Sequence, residues 1–455
     1  MVAAAASLMP GAPRIALLSS EPVRPRMAGI GIRYLELARR LAGEGIAVTL
    51  VSPAAPEESG PLLPAGVEPR LYARDRLPAL VAGCTAAVAQ GQLANDLLLA
   101  APELPAAIDL YDPWLVEHFA YREPLGLDPY RNDHATWLLQ MARGDLFLCS
   151  SEEQRTFYLG FLTALGRVNP ELAAADPDLR TLIDVVPFGV ADELPPHRPY
   201  LPPRDGAAAA ERRLLFGGLY DWYDPWTLLD ALALLDRPDW VLLLIHNPNP
   251  GTPQRLFAEV ERRCRRLGWW GTRVRALDWV PAERRHDLLR DVDLLVAPHR
   301  ETLETRLALR TRFLDALAAG CPVVTSEGGA MSRLLREHGA GWVVPAGDPA
   351  ALARALGQAL AGPAAADLQP PAPPGAGAPP DWRRGAEELL RAFRWERAIA
   401  PLLRFCRAPW RDATKERFVQ SLASTAPADA AGFRLRRRLR RAWAALAPRA
   451  AGGRR

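Results

Sequence analysis

The sequence predicts two doubly wound α/β domains in tandem, facing each other across a cleft. Three observations predict this. The chain has 455 residues, too many for one compact core. Short apolar runs alternate with amphipathic helical stretches, the pattern of a parallel sheet covered by helices on both faces. And the alternation pauses at a Pro- and Ala-rich stretch, Ala191 to Glu211, and then restarts.

In the first half the expected strands are "RIALLSS" (Arg14 to Ser20), "AVTLVS" (Ala47 to Ser52), "VEPRLYA" (Val67 to Ala73), "AAVAQ" (Ala86 to Gln90), "AAIDLYD" (Ala106 to Asp112), "DLFLCS" (Asp145 to Ser150) and "DVVPFG" (Asp184 to Gly189). The helix "RYLELARRLAGEG" puts Leu35, Ala38 and Leu41 on one face and ends at glycine. In the second half the strands are "RLLFGG" (Arg213 to Gly218), "WVLLLIH" (Trp240 to His246), "RVRALDW" (Arg273 to Trp279), "VDLLVAP" (Val292 to Pro298), "CPVVTS" (Cys321 to Ser326) and "GWVVPAG" (Gly341 to Gly347). The expected boundaries are 1–195 for the first domain, 196–211 for a linker and 212–361 for the second domain. A Pro/Ala/Gly linker at 362–381, helices over 382–420 packing back on the first domain, and a basic tail over 421–455 follow.

The composition excludes some classes. The longest apolar runs are strand length, far short of the ~20 residues of a membrane helix. The N-terminus lacks a basic region and reads as a frayed start, not a signal peptide. The five cysteines form no CxxC pair, so neither a zinc site nor a disulfide framework is indicated and a reducing cytoplasm fits. Lys415 is the only lysine among 56 basic residues. A buried cation in an active site here must therefore be arginine.

Ligands of doubly wound sheets bind beyond the carboxyl ends of the strands, so the strand-end motifs carry the chemistry. "PRMAGIGIRYLELA" places Gly29 and Gly31 before a helix whose free N–H groups suit an anion; a structural turn is the other reading. "HRETLETRLALRTRFLDALAAG" sets Arg306, Arg310 and Arg312 at a helix N-terminus, with Glu304 before them and Asp315 one turn in. Guanidinium groups at a positive helix end are unfavourable unless an anion is present. A pyrophosphate meets both, with Asp315 on ribose hydroxyls and Glu304 on sugar hydroxyls. "FGGLYDWYDPW" puts Gly217 and Gly218 on a strand-to-helix turn beside Tyr220, Trp222, Tyr223 and Trp226, either core or a ligand platform. Trp279 ends a strand where a nucleobase can pack, or is a core tryptophan. Gln90, Asp109 and Asp112 follow first-domain strands and can hold sugar or acceptor hydroxyls; Asp112-Pro113 also suits a helix cap. His246 ends a second-domain strand and is the weakest of these.

Together "MAGIGIRYLELARRLAGEGIAVTLVS", "LDALAAGCPVVTSEGG" and "GWVVPAGDPAALARAL" resemble glycosyltransferases of the GT-B fold, family 4. "DLYDPW", "SSEEQRTFYLGFL", "VPFGV" and "ETRLALRTRFLD" resemble a bacterial subgroup found with surface-polysaccharide genes. The resemblance implies two Rossmann-like domains, a nucleotide-diphosphate sugar donor held mainly by the second, and a glycan or lipid-linked acceptor held by the first at Gln90 and Asp109. It also implies retention of configuration and no metal or cofactor. The donor residues it implies are Gly29, Gly31, Gly217, Gly218, Tyr223, Trp279 and Asp315, and the catalytic ones Arg306, Arg310, Arg312, Glu304 and Asp112. Two departures stand out. The family's two glutamates flank seven residues, but here the second falls on Asp315 and the first on Leu307. Its phosphate-holding Arg and Lys fall on Gly218 and Tyr223. The three arginines are then expected to form the diphosphate clamp. A non-catalytic GT-B-like binding or scaffold protein is the alternative, and an epimerase or phosphorylase on the same fold a third.

The tail, "GFRLRRRLRRAWAALA", places Leu435, Leu439, Trp443 and Leu446 near one helical face among arginines. Residues 433–447 are expected to lie on an anionic membrane surface, not on nucleic acid. The expected location is cytoplasmic, peripheral on the inner face of the cell membrane.

Overall fold

The computed structural model describes residues 13–206, 209–235, 237–246, 255–361 and 381–424. The Pro/Ala/Gly stretch 362–380 and the basic tail from 425 onward, including 433–447, lie outside the described residues.

The first domain is a seven-stranded parallel sheet of order β3-β2-β1-β4-β5-β6-β7. Its strands are β1 (Arg14–Leu18), β2 (Ala47–Ser52), β3 (Val67–Leu71), β4 (Ala86–Ala89), β5 (Ala106–Asp109), β6 (Leu146–Cys149) and β7 (Ile183–Val185). The second is a six-stranded parallel sheet of order β10-β9-β8-β11-β12-β13. Its strands are β8 (Arg212–Gly218), β9 (Trp240–Ile245), β10 (Val274–Leu277), β11 (Leu294–Ala297), β12 (Val323–Ser326) and β13 (Trp342–Val344). The central strands are almost wholly apolar, as strands covered on both faces must be. Each sheet reverses its winding once, between β1 and β4 and between β8 and β11. At such switch points the following loops diverge and leave a crevice.

The first sheet carries one apolar core on each face, and the second domain packs around a third. The C-terminal helices are divided between the domains. The helix Trp382–Ala392 buries Leu389 and Leu390 in the second-domain core, contrary to the expectation that this whole segment returns to the first. The chain then crosses. Val190 N donates to Phe393 O (2.7 Å), Trp395 N donates to Val190 O (3.1 Å), and Trp395, Leu402 and Phe405 fill the first-domain core. Beyond them the single lysine acts as a clasp: Lys415 Nζ reaches Asp145 Oδ1 (2.6 Å) beside the buried Arg167–Asp412 pair (2.8 Å).

The expected linker is fastened to the second domain. Tyr200 and Leu201 N–H groups donate to Asp291, and Arg204 pairs with Asp293.

Candidate functional site

The second domain's switch point is built around Arg312. β8 ends at Gly217 and Gly218, and the helix Thr311–Ala318 begins opposite, with Arg312 in its first turn. Arg312 Nη1 donates to Gly218 O (3.3 Å). A Cβ on Gly217 would stand 2.7 Å from Arg312 Nη1, so only glycine lets this guanidinium lie across the strand end. Its Cζ lies 4.7 Å over the Tyr223 ring, and that of Arg310 lies 5.3 Å over the same ring. Tyr223 is 1% exposed. It was expected to touch the donor; instead it is a buried platform that holds two guanidinium groups by cation–π attraction.

The three arginines do not act as one clamp. Arg312 lines a cavity of about 220 Å³ together with Gly217, Gly218, Tyr220, Trp279 and Asp315. Arg310 does not line that cavity and forms a bidentate pair with Glu304 (2.7 and 2.6 Å), both side chains at most 9% exposed. Burial lowers the Arg310 pKa and the Glu304 charge raises it more, so it stays cationic. Arg306 is exposed in the last turn of the short helix Leu303–Leu307 and does not line this cavity. There it complements the negative helix end. The spacing gave no sign of this helix, which Thr302 caps by accepting from Thr305 N (3.1 Å) and which rotates Arg306 outward.

Asp315 is held from the neighbouring helix Arg285–Asp291. His286 Nε2 lies 2.8 Å from its Oδ1, and Arg285 Nε donates to both oxygens (3.3 and 3.2 Å). Burial raises its pKa, but Arg285 and His286 more than offset this and hold the carboxyl at about 2. It is therefore ionised at neutral pH, and a carboxylate has acceptor sites left for a hydroxyl. Sequence reasoning missed Arg285, which also lines this cavity. The alternating charges of "ERRHDLLRD" look like a solvated helix face.

The first domain closes the cavity through Met27, Ala28 and Gly29. Trp279 Nε1 donates across the cleft to Met27 O (3.2 Å), and Ala282 N donates to Pro25 O (3.0 Å). Gly31 does not face the cavity. Its N–H donates to Glu21 Oε2 (3.2 Å), and a Cβ there would stand 3.0 Å from Pro22 O. Glu21 thus occupies the helix N-terminus that was expected to take a ligand's anion. Burial pushes its pKa up, while the N–H groups of Gly31 and Ile30 pull it down.

Gln90 and Asp109 are not free to hold an acceptor. Gln90 is 2% exposed and accepts from Ser20 Oγ (3.4 Å). Asp109 is buried under Arg33, which donates to both its oxygens (2.7 and 3.0 Å) and to the carbonyls of Val186 and Pro187. Both side chains of this pair are 0% exposed. Asp112 is half-buried and does not line this cavity. Burial, then the negative charges of Glu21 and Asp109, push its carboxyl well above the usual range. Burial and Asp112 do the same to Glu117, a residue not singled out from sequence. His299 is buried against Ser326, and burial with the nearby Arg310 lowers its pKa to about 3, so it is neutral.

Residues 211–362 match the family model described as Glycosyl transferases group 1. That match spans about a third of the chain. Among solved structures the chain is similar, over 87–90% of its length, to GT-B proteins. Sucrose-phosphate synthase from Thermosynechococcus elongatus aligns with TM-score 0.59 at 17% identity, covering 87% of this chain and 98% of that one. Anabaena HepE, solved in complex with UDP-glucose, aligns with TM-score 0.57 at 16% identity, covering 90% and 100%. WaaG, a glycosyltransferase involved in lipopolysaccharide biosynthesis, aligns with TM-score 0.53 at 15% identity, covering 87% and 100%. At these identities the likeness establishes the shared GT-B fold. A search of curated proteins gave no match.

Within the matched residues, Leu307 is 5% exposed and offers no carboxylate. Glu304 does not reach into its place, because Arg310 holds both of its oxygens. Two guanidinium groups line the cavity: Arg285 is paired with Asp315, while the one hydrogen bond of Arg312 among the described residues goes to a backbone carbonyl.

Proposed function

We propose that this protein transfers a sugar from a nucleotide-diphosphate sugar to a glycan or lipid-linked acceptor, with retention of configuration and without a metal. One observation carries the reading. The cavity at the second switch point gathers Gly29, Gly217, Gly218, Trp279, Arg312 and Asp315 from distant parts of the chain. In this reading the base packs beside Trp279, ribose hydroxyls donate to Asp315, and the diphosphate lies along Gly217 and Gly218 against Arg312. A guanidinium there stabilises the charge that grows on the leaving diphosphate. A diphosphate oxygen takes the acceptor's proton on the face it leaves. Asp112, in its ionised form, stabilises the positive charge that develops on the sugar. Membership of family 4, a role in surface-polysaccharide synthesis and a cytoplasmic site on the inner membrane face extend the same proposal from the motifs. Among the described residues no helix is long and apolar enough to cross a membrane.

The buried Leu307 and the Glu304–Arg310 pair favour a second reading, a GT-B-like protein that binds nucleotide sugar without turning it over. Release of nucleoside diphosphate from UDP-, GDP- and ADP-sugars, with a chelator present, separates the two. Transfer predicts release from one of them at many times the buffer rate. Binding with no release supports the second reading.

A further inference from the structure

The segment after β5 bridges the two domains. Both of its ends are fastened to the second domain. Tyr111 Oη donates to Leu309 O (3.4 Å), and the Tyr121 ring meets the Trp222 ring edge-on, 6.0 Å between centroids. Between these contacts the short helix Trp114–Glu117 packs on the second domain's helix Leu303–Leu307. This docking gathers carboxyl groups around Glu117: Asp112 from the same segment, Glu21 from the loop after β1 and Glu304 from the second domain. The cation facing them is Arg310, and Glu304 already takes both of its terminal nitrogens. Glu21 has the Gly31 N–H. The Glu117 carboxyl is half-buried and has neither a hydrogen bond nor an ion pair among the described residues. The other titratable neighbours bring no compensating charge. Burial keeps Tyr121, Tyr158 and Tyr220 as neutral phenols. On the helix Asp128–Arg143, which packs on the same short helix, Asp133 is paired with His118. Arg306 is exposed.

We propose that the two domains meet at this contact only while Glu117 holds a proton, so that closing them takes up a proton and alkali opposes closure. The charge count carries the inference. An ionised Glu117 adds a negative charge to a contact whose one facing guanidinium is already neutralised by Glu304. Domains joined by a polar contact move relative to one another by default. When they part, the short helix leaves Glu304 and its carboxyl returns to water, where it ionises near ~4.3. In the closed arrangement burial, then the charges of Asp112 and Glu304, raise the Glu117 pKa well above that range. The closed form therefore binds this proton more tightly than the parted form. In acid below the ordinary carboxyl range both forms hold it, and closure is unopposed. As pH rises through that range the parted form releases the proton and the closed form keeps it. The closed-to-parted ratio then falls about ten-fold per pH unit for one proton, until Glu117 ionises in the closed form as well. Asp112, raised to about 7, is the carboxyl of the pair that ionises first. The inference stands apart from the transfer reading, because the contact exists without a nucleotide.

Small-angle X-ray scattering of the full chain without nucleotide, from acid to alkaline pH, tests this. Far-UV circular dichroism on the same samples marks the pH range in which the protein stays folded, and the comparison is made inside it. The radius of gyration of the wild type should increase with pH as the domains part. Glu117→Gln keeps the shape of the side chain and carries no charge at any pH. It should stay as compact at the alkaline end as the wild type is at the acid end. Glu117→Ala makes the same prediction and serves if Glu117→Gln fails to fold. A wild type with one radius of gyration across the whole range overturns the proposal. So does a Glu117 variant that expands with pH as the wild type does, since other groups would then drive the change. No nucleotide is present, so neither result bears on whether the second switch point holds a diphosphate.

Discussion

Arg310→Ala should destabilise the protein by about 3–5 kcal/mol, because it leaves the Glu304 carboxylate buried without a partner. Both oxygens of that carboxylate are held by Arg310, and the side chain is 4% exposed. The alternative to pairing is protonation, which carries its own cost at neutral pH. Removing both charges should be far milder. The double variant Glu304→Gln with Arg310→Met keeps the volume and removes both ions, and it should recover most of the lost stability. Urea unfolding of the three proteins gives the comparison. If the double variant is as unstable as Arg310→Ala, the loss comes from packing over Tyr223 and Trp222 and not from an uncompensated charge.

Asp109→Ala should have an effect of similar size, about 3–5 kcal/mol, in the first domain. It strands Arg33, whose guanidinium is 0% exposed and, among the described residues, otherwise reaches the Val186 and Pro187 carbonyls and the Tyr111 ring. This pair ties the helix Gly29–Gly43 to the end of β5 and to the segment after β7. Thermal unfolding should show a large drop in Tm for Asp109→Ala. An Asp109→Ala protein that keeps its Tm but loses acceptor binding would restore Asp109 to the acceptor site.

Most of the fold was legible because it follows from local patterns. Every expected strand corresponds to one in the two sheets, since a parallel strand covered on both faces is an apolar run that any sequence window shows. The expected strands overran by a few residues at their ends, for example Ala106 to Asp112 against Ala106–Asp109. Those extra residues are the loops that build the site.

The site itself was half legible. Gly29, Gly217, Gly218, Trp279, Arg312 and Asp315 do meet at one cavity, because the rule that places ligands at strand ends is topological. What could not be read is which charges satisfy each other. Arg33 pairs with a residue 76 positions away, and Arg285 with one 30 away. Nothing in the spacing marks Glu21 as the group that fills the helix N-terminus at Gly31. Arg310 and Glu304 are six positions apart. Their pairing depends on the short helix Leu303–Leu307, and five residues give too little periodicity to be seen.

The central claim is that the cavity at the second switch point holds a nucleoside diphosphate through Arg312. Calorimetric titration of UDP, GDP and ADP, without metal, into the wild-type protein and Arg312→Ala tests it most directly. The account predicts that one diphosphate binds at a single site and that Arg312→Ala weakens it by about ten- to a hundred-fold, the loss of a charge-assisted contact worth ~1.5–3 kcal/mol. Absence of binding for all three, or equal affinity in the two proteins, would contradict it.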